Sequence, residues 1–396
     1  QLQDVMALIH IDPVKVKDHI TLCCAHQFKE GDVQHWWHYP SGAGVRTKIT
    51  DDLLWLPYVV SYYIERTGDV GILNIEVPYL EGPLLQPHEE SSYFVPNVSD
   101  DRGSVLDHCI RAINRSLNFG AHGLPLIGSG DWNDGLNSIG DEGHGESVWL
   151  GWFILAVLNK FIKILEKTDR RHEVGRYNTT YNDLKKNVNE NGWDGEWFMR
   201  AFHDDGTPLG SHVNSECTID SISQSWSVIS GAALPEKMEK SMLNHEKYLE
   251  DKKHNIIKLL TPPFKSTIPF PGYIQGYPEG MRENGGQYTH GAVWAMKAYA
   301  MMRKAEKAYE LFNTLNPINR SSNVEDADIY KCEPYVMTGD IYSNPNHMAR
   351  GGWSWYTGSA GWLYQSSIED ILGFKKFSDH FILDPVIPKE WEGFNM

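Results

Sequence analysis

The chain has few cysteines, no run of basic residues, no apolar stretch of membrane length and no internal repeat, and each absence removes a class of protein. Its five cysteines, Cys23, Cys24, Cys109, Cys217 and Cys332, are odd in number and never in C-x-x-C spacing. That argues against a disulfide framework or a zinc cluster and fits a reducing, cytoplasmic setting. Lysine and arginine number 36 against 52 acidic residues, a net charge of −16. With no Lys/Arg cluster, nucleic acid is excluded as a partner. The most apolar run, Val148 to Leu158, is 11 residues long, well short of the ~20 of a membrane helix. It reads as a buried core helix, so no membrane segment is expected in this chain. No fixed period marks a solenoid, and no low-complexity linker marks a domain boundary. Sequons at Asn97, Asn114, Asn178 and Asn319 are chance matches in the absence of a secretory leader. The chain opens on "QLQDVMALIH" with no initiator Met, and is expected to be a fragment of something longer.

What is present is helical periodicity. Apolar residues recur at i, i+3, i+4 and i+7 over 2–9, 16–28, 51–65, 104–117, 146–167, 182–188, 218–230, 235–250, 291–302, 304–315 and 359–372. No stretch shows convincing strand alternation, so an all-α fold is predicted, with residues 1–396 as a single domain and 76–103 as a long excursion. Several connections are long and rich in Gly, Trp, His and Asn. Loops of more than about 12–15 residues are usually functional.

The loop "GSGDWNDGLN", Gly128 to Asn137, sets Asp131, Trp132, Asn133 and Asp134 side by side among glycines. A carboxyl kept dry beside a tryptophan has its charged form disfavoured, which suits a general acid. The competing reading is an Asx-rich turn whose carboxylates bond only their own backbone. Calcium is set aside: Asp131, Asn133, Gly135 and Glu142 fit an EF-hand pattern, but Leu136 stands where glycine is required. The 14 tryptophans include five in long loops, Trp36, Trp37, Trp132, Trp353 and Trp355. A flat apolar ring with an N–H donor suits the faces and hydroxyl edges of a sugar, although such residues also pin loops to a core. The segment "DVQHWWHYPSGAGVRTKITDD" supplies His35, Trp36, His38, Arg46, Asp51 and Asp52. Its histidines and Asp pair are a weak metal motif, and no metal site is assigned; Arg and Asp suit sugar hydroxyls. "MRENGGQYTHG" places Arg282 and His290, and "WYTGSAGW" places Thr357 and Gly358, before or at helix starts. Each is compatible with simple capping; together they suit a phosphate.

At these residues the chain resembles glycoside hydrolase family 94, formerly glycosyltransferase family 36, the inverting β-glycoside phosphorylases. The resemblance rests on "QFKEGDVQHWWHYPSGAGVRTKITDDLLWLPY", "GLPLIGSGDWNDGLN", "GESVWLGWF", "DGTPLGS", "IDSISQSW", "GYPEGMRENGGQYTHGAVWA" and "GGWSWYTGSAGW", in this order from near residue 1 to about 375. Within the family the pattern is most similar to the phosphorylase-like region of cyclic β-1,2-glucan synthases and to 1,2-β-oligoglucan phosphorylases. The resemblance implies an (α/α)6 barrel. It implies that Asp134 is the catalytic general acid and that Trp132 lines the sugar subsite, with Arg282 facing the substrate. His290, Thr357 and Gly358 are implied to hold phosphate. His35, Trp36, Arg46 and Asp52 are taken as further sugar contacts. No cofactor is expected, inorganic phosphate being a co-substrate, and a homodimer is allowed.

Two departures from the family pattern bear on substrate and activity. The aromatic-Arg-Asp segment that precedes the stretch matching "QLQD" in the family, and the N-terminal β-sandwich, lie outside this chain. Nine residues before Arg282 stands Tyr273, where cellobiose phosphorylases carry Glu, which favours β-1,2-glucans. The expected reaction is phosphorolysis of a β-1,2-glucooligosaccharide to α-glucose 1-phosphate. Its alternatives are chain-length control within a cyclic glucan synthase, a water-using toroidal hydrolase or lyase, and an inactive glucan-binding fragment.

Overall fold

The computed structural model describes residues 2–395. Twelve α-helices lie among them: α1 Leu2–Met6, α2 Pro13–Cys24, α3 Asp52–Thr67, α4 Val105–Ser116, α5 Val148–Leu165, α6 Val174–Asn191, α7 Ser221–Ile229, α8 Pro235–Leu249, α9 Thr289–Met301, α10 Ala305–Leu315, α11 Val324–Tyr330 and α12 Thr357–Ser366. The protein is mostly helical, as the periodicity requires. Local chemistry sets the helix starts. Asp12 caps α2 by accepting the Lys15 N–H, with Pro13 inside the first turn. Ser104 and Asp107 form a reciprocal capping box on α4, and Ser147 caps α5 through the Leu150 N–H at 2.9 Å.

The chain forms two compact units, one of Gln1–Val188, Phe202–Gly206 and Phe377–Asp379, the other of Asn189–Ala201, Thr207–Lys376 and His380–Met396. In the first, α3 packs against α1, α2, α4 and α5. Its core includes Trp55 against Phe153, with ring centroids 4.4 Å apart. Helix α5 is apolar enough in composition to cross a membrane, but 78% of it is buried inside the protein. It is the core helix the sequence suggested. In the second unit α9 packs against α7, α10 and α12. There Trp226, Trp294 and Trp362 are buried and meet nearly edge to face, at 5.1 Å and 5.8 Å between centroids.

Strands correct the expectation that there are none. The first unit holds β1 Gln34–Trp37, β2 Gly44–Thr47, β3 Glu76–Glu81, β4 Ser91–Phe94 and β5 Asn97–Ser104. β1, β2 and β4 form an antiparallel sheet in that order, and β3 pairs with β5, so the excursion at 76–103 is largely β-structure. These strands are short and interrupted by register shifts at Gln34/Trp36 and Pro78/Leu80. The burial along β1 follows no clean period of two, which is why no alternation was legible.

Candidate active site

On the first unit, the Gly128–Asn137 loop is drawn against the segment before α3. Thr50 Oγ1 donates to the Ile127 and Gly130 carbonyls at 3.1 and 3.2 Å, and the Thr50 N–H donates to Gly130 O at 3.1 Å. Gly128 has φ +63, and a Cβ there would meet the Lys48 carbonyl oxygen at 2.2 Å. Only glycine lets the two backbones approach so closely.

The two aspartates of the loop have different tasks. Asp131 is fully buried. It accepts the Asn133 N–H at 3.1 Å and the Ser147 hydroxyl at 2.7 Å, tying the loop to the capped start of α5. Asn133 in turn accepts the Gly135 N–H at 3.1 Å. These are consecutive Asx turns, and they occupy the oxygens that a calcium reading needed. Asp134 keeps 45% of its side-chain surface exposed. The chain itself therefore does not supply the dry surroundings that the sequence suggested for this carboxyl.

Its charged neighbour is His35. The ring Nε2 lies 3.5 Å from Asp134 Oδ2, while Nδ1 lies 2.7 Å from Asp52 Oδ2. Burial opposes charge on this imidazole, but Asp52 and Asp134 on its two sides override it and hold its pKa up to about 11. His35 is thus an imidazolium between two acids. Asp51, the residue before α3, is buried and accepts the Trp55 indole N–H at 2.9 Å. Burial, with Asp52 beside it, pushes its carboxyl well above the ordinary range. His38 instead meets the rings of Trp36 and Tyr93. Among the described residues no group of three His, Cys, Asp or Glu side chains is arranged to hold a metal.

Trp36 stands exposed beside Tyr93, 5.7 Å between centroids, while Trp37 stacks on His26 at 3.8 Å. One indole is open to solvent and its neighbour pins the strand. Trp132 is partly buried in the loop. Arg46, expected to contact sugar, is corrected by its surroundings. Its guanidinium is buried and donates to both Asp32 oxygens at 2.6 and 2.7 Å, to Glu30 at 2.9 Å and to the Gly82 and Pro83 carbonyls. All its donors are engaged, so it clasps the sheet.

On the second unit, His290 is the second residue of α9 and Thr357 the first of α12. The residues before these helices, Tyr288 and Tyr356, make no side-chain cap bond. At α9 the Thr289 N–H is donated to the Gly339 carbonyl at 2.8 Å; helix starts are where backbone N–H groups can meet an anion. A Cβ on Gly358 would lie 3.2 Å from His290 Nδ1, so imidazole and helix start are packed together. The ring rests 4.5 Å from Trp294, and burial pushes its pKa down to about 3. In this state His290 is neutral.

Arg282 also lies on the second unit. It holds a left-handed backbone, φ 50, with its N–H donated to Asp340 Oδ2 at 3.1 Å. The Trp353 N–H donates to the other Asp340 oxygen at 3.1 Å. The guanidinium sits over the rings of Tyr277 at 5.1 Å and Trp353 at 5.7 Å, and Tyr273 meets Tyr277 edge-on. Trp353 and Tyr273 remain exposed. Tyr277 and Asp340 were not singled out from the sequence: Asp340 meets Arg282 across 58 residues, and Tyr277, though near in sequence, meets the guanidinium through the fold of the loop. Ser147 had a legible signal, a serine directly before an apolar helical run.

A mostly helical scaffold carrying an acid–histidine group on one unit and paired helix starts on the other suits a sugar-active catalytic domain. A solved structure of an uncharacterized conserved protein from Thermus thermophilus shares the fold, with a TM-score of 0.59 at 10% identity over 92% of this chain and 91% of that one. The family model "Glycosyl hydrolase 94 superfamily, catalytic domain" matches residues 1–373, and the chain belongs to that superfamily. It is 44% identical over its whole length to the cyclic beta-(1,2)-glucan synthase NdvB of Rhizobium meliloti (strain 1021), covering 14% of that protein. It is also 30% identical over its whole length to the solabiose phosphorylase of Paenibacillus borealis, covering 48% of it. The chain thus spans half or less of these relatives.

Proposed function

We propose that this chain is the catalytic part of an inverting phosphorylase that cleaves β-glucosides, with β-1,2-glucooligosaccharides as substrate and α-glucose 1-phosphate as product. The observation that carries the reading is the division of labour in the Gly128–Asn137 loop. Asp131 and Asn133 are tied to the backbone and to Ser147, which leaves Asp134 as the carboxyl available to protonate a leaving oxygen. Hydrolysis by inversion needs a second carboxylate to activate water. Phosphate is already a nucleophile and needs only to be positioned. The His290, Thr357 and Gly358 corner is assigned that task, through helix N–H groups and a neutral imidazole that can donate one hydrogen bond. Trp132, Trp36 and Arg282 with its flanking rings are assigned to the sugars.

The proposal includes the (α/α)6 barrel of the family, residues 1–396 as one catalytic domain, a cytoplasmic setting consistent with five free thiols, and phosphate as co-substrate with no cofactor. The β-1,2 linkage is supported by the relative that makes such a glucan and by Tyr273 in place of an acidic residue. The extent of identity with a glucan synthase favours a specific variant, in which the domain trims or regulates glucan length within a larger enzyme.

The test is a product assay on the natural protein. Incubation with β-1,2-glucooligosaccharide should release glucose 1-phosphate only when phosphate is present, and in reverse a sophorose-type acceptor should outperform a cellobiose-type one. Reducing sugar released without phosphate, or glucan binding with no product, would refute the proposal.

A further inference from the structure

His35 owes its position to a fault in a strand. In β1 the ladder to β2 pairs Gln34 with Arg46 and Trp36 with Val45, so His35 has no opposite residue. A bulge of this kind re-aims the extra side chain. The imidazole reaches between two carboxylates, Asp52 Oδ2 at 2.7 Å from Nδ1 and Asp134 Oδ2 at 3.5 Å from Nε2. Asp52 comes from the first turn of α3 and Asp134 from the Gly128–Asn137 loop, so three separate segments meet at this ring. His35 was expected to touch sugar. With both ring nitrogens facing acids, the geometry points to another task.

We propose that His35 is a positioning residue that stores on Nε2 the proton Asp134 delivers to the leaving oxygen, with Asp52 anchoring the opposite ring nitrogen. This rests on the reading of Asp134 as general acid. A carboxylate facing an imidazolium is a poor acid by itself, but the pair holds one transferable proton. When a glucan covers the exposed Asp134 and water leaves, charge separation within the pair is less favoured. The proton passes from Nε2 to Asp134 and on to the bridging oxygen as the C1–O bond breaks and a C1–O bond to HPO4²⁻ forms. His35 is left neutral, with its Nδ1–H held by Asp52. The proton still on the sugar phosphate returns to the pair through solvent, so the sum is glucoside plus HPO4²⁻ giving glucose 1-phosphate dianion plus alcohol.

The titratable groups bearing on the imidazole are Asp52 and Asp134. Asp51 and Asp131 are the other acids of the cluster. Asp51 feels the charges of Asp52, Asp131 and Asp134, and Asp131 is bonded to Ser147.

Two measurements on the natural protein test the proposal. The first compares His35→Gln with wild type on a glucan donor and on 4-nitrophenyl β-glucoside, whose leaving group needs no proton. The expected result is a kcat loss of about 10²-fold on the glucan and under about threefold on the nitrophenyl donor, with both KM values within about twofold. Equal losses on both donors, or a loss confined to KM, overturn the proposal. The second follows the His35 ring by NMR of labelled histidine, assigned by its absence in His35→Gln. It should stay protonated beyond about pH 9 and lose at least about one pH unit of that range in Asp134→Asn. An ordinary midpoint, or indifference to Asp134→Asn, overturns the proposal whatever the activity. Intact coupling in a wild-type protein without phosphorolysis overturns the functional reading instead, and the delivery step with it.

Discussion

The two aspartates of one loop should respond to mutation in opposite ways, and the size of the difference follows from their contacts. Asp131 has no exposed surface and accepts two hydrogen bonds, from Ser147 Oγ at 2.7 Å and Asn133 N–H at 3.1 Å. Bonds to a carboxylate contribute about 1.5–3 kcal/mol each, so Asp131→Ala should cost about 3 kcal/mol or more. It also frees the Ser147 hydroxyl that caps α5. Asp134 is 45% exposed and faces one ion-pair partner at 3.5 Å. His35 is only 23% exposed, and losing about one pH unit of its protonated range corresponds to about 1.4 kcal/mol, so Asp134→Asn should cost about 1–2 kcal/mol, less than Asp131→Ala, while lowering turnover by about 10²-fold or more. The assay is urea denaturation followed by tryptophan fluorescence, paired with release of glucose 1-phosphate. Asp131→Ala should show a strongly lowered midpoint, and Asp134→Asn a midpoint nearer wild type with turnover lost. If Asp134→Asn unfolds as readily as Asp131→Ala, or turns over like wild type, the division of tasks in this loop is mistaken.

Two further outcomes follow. Gly358→Ala places a methyl 3.2 Å from His290 Nδ1. The KM for phosphate should rise by about tenfold, and the KM for glucan by less than about twofold; a matched rise in both would remove Gly358 from the anion site. His245 and His290 are each held neutral by burial, with pKa values of about 3. Because the unfolded chain takes up protons on these rings near pH 6.5 and the folded chain does not, stability is full above that value and falls as the pH drops toward 3. At pH 5 the loss is about 2 kcal/mol per ring. His290→Phe should make urea midpoints less sensitive to acid between pH 6.5 and 5, and an unchanged pH slope would contradict the assignment.

The helices were largely legible, because an apolar stripe at helical spacing and a capping residue are local signals. α5 was recognisable from its apolar run and α4 from its periodicity. α6 was expected only over 182–188 yet runs Val174–Asn191, and α11 was missed. Both are polar, and α11, capped by Asn323 and ended by Lys331 in the left-handed region, carries too short a stripe to register. The strands were missed because pairing between distant segments, not alternation within one, defines them. In the site, glycine positions and the clustering of Asp131 to Asp134 were visible in order of residues, but which acid faces solvent depends on Ser147. Arg46 looked like a sugar ligand because an arginine in a tryptophan-rich loop carries no local sign of the acids it meets. His35 could be named from the sequence, whereas its place between Asp52 and Asp134 depends on a register shift that no local pattern reveals.

The unpaired residue in β1 also has a genetic consequence. Loss of the His35 codon would leave Gln34 opposite Arg46 and Trp36 opposite Val45, a regular hairpin with both indoles on their present faces and the imidazole withdrawn. On the proposed function, a single in-frame deletion would thus exchange turnover for mere glycan capture with the acidic loop intact.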